Sequence, residues 1–134
     1  MKAFGLRGSG KLLKGTLYIV AGHSFFVGLM LIVQPRVLMT LSGFVNGYER
    51  FFPTQAGVFH IVMAVCYYNA GMDPEKNRPL ISFSITAKAI ATVFLLSYYL
   101  IADAKPVILV SAIGDGLMGL LIYMLARNHF DSPD

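Results

Sequence analysis

The chain has 134 residues, of which 56% are hydrophobic and only 13% are charged, whereas roughly 25% of the residues are charged in soluble domains. Its eleven Lys and Arg and seven Asp and Glu are too few to cover the surface of a soluble fold of this size. With a single Cys, the composition also excludes a disulfide framework. A mean hydropathy of +0.64 indicates an integral membrane protein.

The net charge of +4 does not point to nucleic acid, because the positive charges lie mostly outside the apolar runs and no nucleic-acid-binding motif accompanies them. Four of them precede the first apolar run: Lys2, Arg7, Lys11 and Lys14. A basic segment in this position is an orientation signal that faces anionic lipid. The partner predicted from charge is therefore the lipid bilayer, and no nucleic acid is expected.

The first apolar run, at about residues 16–33, is long enough to cross a bilayer. Gln34-Pro35-Arg36 follows it in place of a cleavage site with small residues, so we interpret it as a retained span and not as a signal peptide. Residues 34–54 mix charged and apolar residues. This pattern predicts a short interfacial helix after Pro35 and a turn at Asn46-Gly47.

Three further spans follow at about residues 53–72, 80–102 and 107–126. Asp73-Pro74 ends the second span, and the links after the second and third spans are short enough to require antiparallel neighbours. The sequence therefore predicts an all-α fold, a four-transmembrane-helix antiparallel bundle with a short interfacial helix between spans 1 and 2. Residues 1–134 form a single integral membrane domain in this prediction.

The positive-inside rule gives an orientation to this bundle. With the N-terminus cytoplasmic, seven positive charges lie inside and three outside. The inner set is Lys2, Arg7, Lys11, Lys14, Lys76, Arg78 and Arg127, and the outer set is Arg36, Arg50 and Lys105. We expect both termini to be cytoplasmic, in a bacterial-type inner membrane.

Each predicted span carries one ionisable side chain away from its ends, and these are His23, His60, Lys88 and Asp115. Lys or Asp at a span centre costs about 2.5 to 3.5 kcal/mol, so such residues are expected to turn inward and find partners. At a rise of about 1.5 Å per residue, all four lie near the midplane. We expect Lys88 and Asp115 to form an ion pair.

Polar and small residues recur with helical spacing around these positions, including Tyr67 on the second span and the hydroxyls Ser84, Thr92 and Ser111 on the third and fourth. The pattern predicts a midplane ligand pocket formed by His60, Lys88, Asp115 and Tyr67, with His23 nearby. Its expected walls are Ala64, Tyr67, Ala91 and Met118.

Other interpretations of these residues stay open. The charges of Lys88 and Asp115 can act only as a clamp between helices, and His60 and His23 can be structural. Haem ligation by the two histidines has little support, no metal site is predicted, and no catalytic nucleophile stands beside a base. The sequence identifies neither a catalytic residue nor a cofactor.

Residues 52–126 carry a loose motif, made of Phe52-Pro53, Gly57, Tyr67-Tyr68-Asn69-Ala70, Asp73-Pro74, Arg78, Lys88 and Asp115. In this motif the chain resembles small bacterial four-helix membrane proteins of the DoxX-like and BphX-like kind. The resemblance implies a membrane subunit, since members of the wider DoxX group are associated with quinone-linked redox subunits. Span 1 and the segment of residues 34–54 carry no further family motif, so His23 and the predicted interfacial helix lie outside the resemblance.

These observations favour a polytopic inner-membrane protein that binds a small lipophilic molecule, quinone-like or lipid-like, in the midplane pocket. We expect it to work with other membrane subunits of a redox or transport system. One alternative is a structural or assembly subunit whose buried charges only clamp the bundle. Another is an intramembrane enzyme of isomerase type that uses His60 or Asp115 as acid or base.

Overall fold

The computed structural model describes residues 8–44 and 50–131. They form five α-helices: α1 (Ser9–Val33), α2 (Arg36–Leu41), α3 (Phe51–Met72), α4 (Arg78–Ile101) and α5 (Pro106–Phe130). The prediction of an all-α fold is confirmed for these residues. Lys2, Arg7 and the turn predicted at Asn46-Gly47 lie outside the described residues.

Three helices, α1, α4 and α5, are long and apolar enough to cross a membrane. Helix α3 has 22 residues and so has sufficient length, but it is not among the helices that are apolar enough, and it carries Thr54, Gln55 and His60. The helices also extend beyond the predicted apolar runs, because Lys11, Lys14 and other polar residues at their ends are good helix formers. The composition of three helices thus supports the expected membrane protein.

The ends of the helices follow from local backbone chemistry. Helix α1 stops at Gln34, which adopts a left-handed conformation with φ of 50° and donates its backbone N–H to the Met30 carbonyl. Pro35 then starts α2, and Pro106 occupies the first turn of α5, where a missing N–H costs no hydrogen bond. These residues separate the helices at the positions where the apolar runs end.

The four long helices form a closed ring in which α1 contacts α3 and α5, and α4 contacts α5 and α3. Neighbours are antiparallel: Gly28 of α1 lies against Gly57 of α3, while Leu17 lies against Gly71. The start of α1, the turn between α3 and α4 and the end of α5 consequently share one end of the bundle. We name it the Glu75 end, and the opposite end, which carries α2 and the link between α4 and α5, the Lys105 end.

The hydrophobic core lies in the half of the bundle near the Glu75 end. Its buried residues are Leu13, Leu17, Val20, Ala21, Tyr67, Ala70, Ile81, Ile122, Leu125 and Ala126. Helix α4 buries Ile81, Ser84 and Lys88, and no residue beyond Lys88. The outer half of α4, towards the Lys105 end, therefore has much less protein packed against it than the inner half.

Charged residues join two chain segments at the Glu75 end, the turn between α3 and α4 and the end of α5. Glu75 lies 2.5 Å from Nη2 of Arg78 and 2.9 Å from Nε2 of His129, and the Arg78 guanidinium stands 4.2 Å from the centre of the Phe130 ring. The hydrogen bond from Arg78 lowers the pKa of Glu75, so this carboxylate is charged at neutral pH. Its partners connect the turn between α3 and α4 to the end of α5.

The closest helix contact is the crossing of α1 and α3 at two glycines. A Cβ atom on Gly28 would lie 2.7 Å from the Gly57 carbonyl oxygen, and one on Gly57 would lie 2.6 Å from the Gly28 oxygen. Small residues let helix backbones approach this closely. Such close packing matters inside a bilayer, because lipid tails are as apolar as the side chains and the hydrophobic effect does not hold the helices together. A Cβ atom on Gly22 would meet no atom of another helix within 4 Å, so Gly22 plays no such part.

We expect Gly28→Ala to lower the free energy of unfolding by about 1 to 3 kcal/mol, because the added methyl group meets backbone that cannot move aside. Gly22→Ala on the same helix is the matched control, with a neutral or slightly stabilising effect of up to about 1 kcal/mol. Unfolding of the detergent-solubilised variants in a denaturant series measures both. Equal midpoints for the two variants would show that the crossing is not close.

Candidate functional site

An ion pair between Lys88 and Asp115 joins the middle of α4 to the middle of α5. The Lys88 ammonium Nζ donates a hydrogen bond to Oδ1 of Asp115, and the two side chains are only 5% and 13% exposed. The ion pair expected from helix depth is therefore present. Two opposite charges at the centre of apolar helices satisfy each other, which removes much of the cost of placing either one there.

Gly119 makes room for this pair. A Cβ atom on Gly119 would lie 2.9 Å from Cβ of Lys88, so α4 and α5 approach closely one turn away from Asp115. The stem of Lys88 packs over the bare backbone of α5, and its ammonium group extends towards Asp115. A larger residue at position 119 would separate the helices and lengthen the ion pair.

Tyr67 of α3 covers the pair from the interior of the bundle. Its side chain is buried, with 3% of the residue exposed, and Nζ of Lys88 lies 5.5 Å from the centre of its ring. A cation this close to an aromatic face is attracted by about 0.5 to 2 kcal/mol, with the higher values at desolvated sites. Tyr67 was expected at the site, and the structure places it against Lys88.

Two of the three hydroxyls expected to serve a ligand are used within their own helix, and the third does not line a pocket. Ser84 Oγ donates to the Leu80 carbonyl at 2.7 Å and Thr92 Oγ1 to the Lys88 carbonyl at 2.8 Å, whereas Ser111 is exposed. The prediction that these three hydroxyls supply unspent donors to a pocket is wrong. Serine and threonine in apolar helices commonly satisfy themselves with the carbonyl four residues earlier, which spacing alone does not reveal.

His60 contacts the neighbouring helix through Ser24, a residue that the sequence pattern did not indicate. Ser24 of α1 is buried, its Oγ donates to the His60 carbonyl at 3.0 Å, and it lies 3.3 Å from Nδ1 of the ring, where the direction of the bond depends on the tautomer. His60 itself is partly exposed. Ser24 lies one turn from both Val20 and Gly28, so its position on the buried face of α1 was a usable signal.

His23 does not turn inward. It is exposed, while its neighbour Ser24 is 2% exposed. The inner face of α1 runs through Leu13, Leu17 and Val20 to Gly28, about 100° away from the face that carries His23. The expectation that His23 faces the pocket is therefore wrong, because the close contact at Gly28 sets the rotation of α1 and the polarity of His23 does not.

A groove of about 370 Å³ runs beside the ion pair between α4 and α5. Its lining consists of Ile85, Lys88, Ala89, Thr92, Val93, Asp115, Gly116, Gly119, Leu120 and Tyr123. Ala89, Val93, Leu120 and Tyr123 are exposed, so the groove opens on the outer surface of the bundle. The polar groups that it reaches are those of the ion pair and of Thr92.

The sequence predicts a pocket inside the bundle with four named wall residues. The groove that the structure shows lies elsewhere, so the prediction of the walls is wrong for it. None of Ala64, Tyr67, Ala91 and Met118 lines it, and neither does His60. The largely buried side chains of Lys88 and Asp115 border the groove where α4 meets α5, with Tyr67 on their inner side. Of the predicted ligand-binding residues, Lys88 and Asp115 line the groove.

The groove presents an ion pair whose opposite charges cancel, among mostly apolar side chains. Lys88 uses one ammonium hydrogen for Asp115 Oδ1, and the described side chains offer no hydrogen bond to the second carboxylate oxygen, Oδ2. Within the described residues, no three His, Cys, Asp or Glu side chains lie close enough together to share a metal ion. The site can donate from Lys88 and accept at Asp115.

Comparison with known proteins gives no relative: no family model, no curated protein and no solved structure matches the chain.

We expect Lys88→Ala and Asp115→Ala each to lower the free energy of unfolding by about 3 to 5 kcal/mol, because either change leaves a buried charge without a partner. The double substitution should recover part of that loss. Lys76→Ala is the control, since the Lys76–Asp73 pair is exposed at the turn and such pairs contribute only about 0 to 1 kcal/mol. Denaturation of all four variants in one detergent measures the coupling. Additive losses in the double variant would mean that the two side chains do not interact.

Proposed function

We propose that the protein is a polytopic inner-membrane protein that binds a small lipophilic molecule, quinone-like or lipid-like, at the Lys88–Asp115 pair. The observation that carries this proposal is the groove beside the pair, which combines apolar walls with two charged groups. Small-molecule sites typically have volumes of about 300 to 1,000 Å³ and few polar groups. At about 370 Å³ the groove lies at the lower end of that range.

The proposal includes four spans, with α3 as the second. At about 1.5 Å per residue α3 is about 33 Å long, and the hydrocarbon core of a bilayer is about 30 Å thick. Two of its polar residues have partners outside α3: His60 contacts Ser24 of α1, and Thr54 contacts Gln34, which directly follows α1. Helix α3 runs antiparallel to α1 along its length, so if α1 spans the bilayer, α3 spans it as well.

We place α2 in the membrane interface at the Lys105 end. It buries none of its residues, and Val37 and Leu41 are 71% and 78% exposed. A short helix with exposed apolar side chains next to basic residues matches the boundary between head groups and acyl chains. Phe44, just beyond α2, lies 5.0 Å from Nζ of Lys105 and so holds this segment near the link between α4 and α5.

We propose that the Glu75 end faces the cytoplasm, as the positive-inside rule favours, and that the membrane is a bacterial-type inner membrane. Reporter fusions after residues 76 and 130 are expected to read cytoplasmic, and a fusion after residue 104 is expected to read external. The fusions after residues 76 and 130 control for each other: their readings must agree, because both positions lie at the Glu75 end of the bundle. An external reading at 76 with a cytoplasmic reading at 104 would reverse the orientation.

The DoxX-like resemblance and a role as a membrane subunit of a redox or transport system belong to the same proposal. Lys88, Asp115 and Tyr67, three of the residues that carry the resemblance, lie together in the structure. Their clustering supports the proposed resemblance, since residues from three helices that meet in space are more specific than a run of apolar sequence.

The second candidate function is a structural or assembly subunit in which Lys88 and Asp115 only clamp α4 to α5. One observation favours it: Thr92, the hydroxyl that lines the groove, donates within its own helix, so the ion pair alone would have to bond a ligand. In this case the groove holds only bilayer lipid, and other subunits cover the exposed faces of the bundle.

Native mass spectrometry of the protein released from nanodiscs separates the two candidates. The ligand-binding proposal expects a bound small molecule, other than phospholipid, on the wild type and on His60→Leu, and none on the double variant Lys88→Met with Asp115→Leu. The double variant removes both charges and keeps apolar volume, so it should stay folded. A wild type that carries phospholipid alone supports the clamp and contradicts ligand binding.

A further inference from the structure

We propose that the ligand of this groove is an uncharged amphiphile with a hydroxyl head group and that it reaches Lys88 and Asp115 sideways from the bilayer. This inference rests on the proposed function and narrows its ligand class. The structural basis is the lateral opening of the groove, the net neutrality of the ion pair and the one carboxylate oxygen that the pair leaves free.

The direction of access follows from what covers each side of the ion pair. On the inner side Tyr67 is 3% exposed and its ring lies 5.5 Å from Nζ of Lys88. On the outer side the groove is bordered by Ala89 and Val93 of α4, and both residues are exposed. A molecule dissolved among acyl chains therefore meets the pair without passing between helices.

The charge balance selects an uncharged head group. The charges of Lys88 and Asp115 cancel, so a neutral ligand keeps the site neutral, whereas an anionic head group would leave one uncompensated negative charge in the middle of the span. Burying an unpaired charge is far more costly than burying a hydroxyl that finds its hydrogen bonds.

The hydrogen-bonding capacity of the pair matches a hydroxyl. Asp115 Oδ2 can accept one hydrogen bond, and the Lys88 ammonium has further hydrogens besides the one given to Oδ1. A hydroxyl group both donates and accepts, so it can serve the two partners at once. An ether oxygen can only accept and would leave Oδ2 without a donor.

The rest of the groove fits an apolar chain. Gly116 and Gly119 contribute no side chain to its floor, and Leu120 and Ile85 continue its walls towards the Glu75 end. A ligand whose hydroxyl lies at Asp115 can place its hydrocarbon along these residues as far as Tyr123. The chain length of the ligand would then set how much apolar surface it buries.

A tryptophan reporter tests this inference, because the chain contains no tryptophan. Tyr123→Trp puts the reporter in the groove, and Phe26→Trp puts the control reporter on the exposed face of α1. Both variants are reconstituted in phosphatidylcholine vesicles and titrated with dibrominated stearyl alcohol, which quenches nearby tryptophan. Its methyl ether and its sulfate ester are the matched probes.

We expect saturable quenching of the Tyr123→Trp variant by the alcohol, with at least about tenfold weaker binding of the ether and of the sulfate, and only non-saturable quenching at Phe26→Trp. In the Tyr123→Trp background, Ala89→Leu should abolish saturation by filling the groove, and Ala56→Leu, an exposed alanine on α3, should not.

Equal or tighter binding of the ether or the sulfate would overturn the hydroxyl assignment and leave the proposed ligand binding in place. Saturation that Ala89→Leu leaves unchanged would overturn the lateral groove as the binding position. If none of the three probes saturates at either reporter, the groove holds only bilayer lipid, and the proposed function fails with the inference.

Discussion

The ion pair between Lys88 and Asp115 is the constraint on which the arrangement of α4 and α5 depends. Neither charge is tolerated alone at the centre of an apolar helix, so each residue restricts the rotation and the height of its helix until the two meet. Gly119 adds the steric part of the same constraint, since only a bare backbone admits the stem of Lys88 at this distance. Because apolar side chains do not prefer one another over lipid, such polar and close-packed contacts decide the geometry.

A second consequence concerns the unequal packing of the two halves. The core cluster and the charged residues around Glu75 hold the helices together at one end. Towards the other end α1 and α3 still touch through Gly28 and Gly57, but α4 buries nothing beyond Lys88. Lys88 is thus the last buried residue of α4 along its length. Local opening of a helix is easiest where few buried contacts hold it, so the region beside the groove is the part of the bundle that can most readily adjust to a ligand.

The sequence predicted the parts of this structure that follow from chain connectivity and electrostatic cost. Apolar runs bounded by Gln34-Pro35 and Asp73-Pro74 located the long helices, and depth along the helices paired Lys88 with Asp115. Helix rotation was harder to predict. In water the polar face of a helix points outward, but α1 has no single polar face: Ser24 turns inward, and the adjacent His23 is exposed. The position of the groove was missed for the same reason, since it depends on which faces of α4 and α5 remain uncovered.

The mutual neutralisation of Lys88 and Asp115 suits both a clamp between helices and a ligand site. A clamp needs two charges that neutralise each other, and the stability of the α4–α5 contact then depends on their hydrogen bond. The same neutrality keeps the groove accessible to uncharged molecules, because binding one disturbs no charge balance. What separates the two roles is the second oxygen of Asp115. In a pure clamp, this oxygen is best satisfied by a second hydrogen bond from Lys88. In a ligand site, it accepts a hydrogen bond from the ligand instead, and the open groove beside it leaves space for that donor.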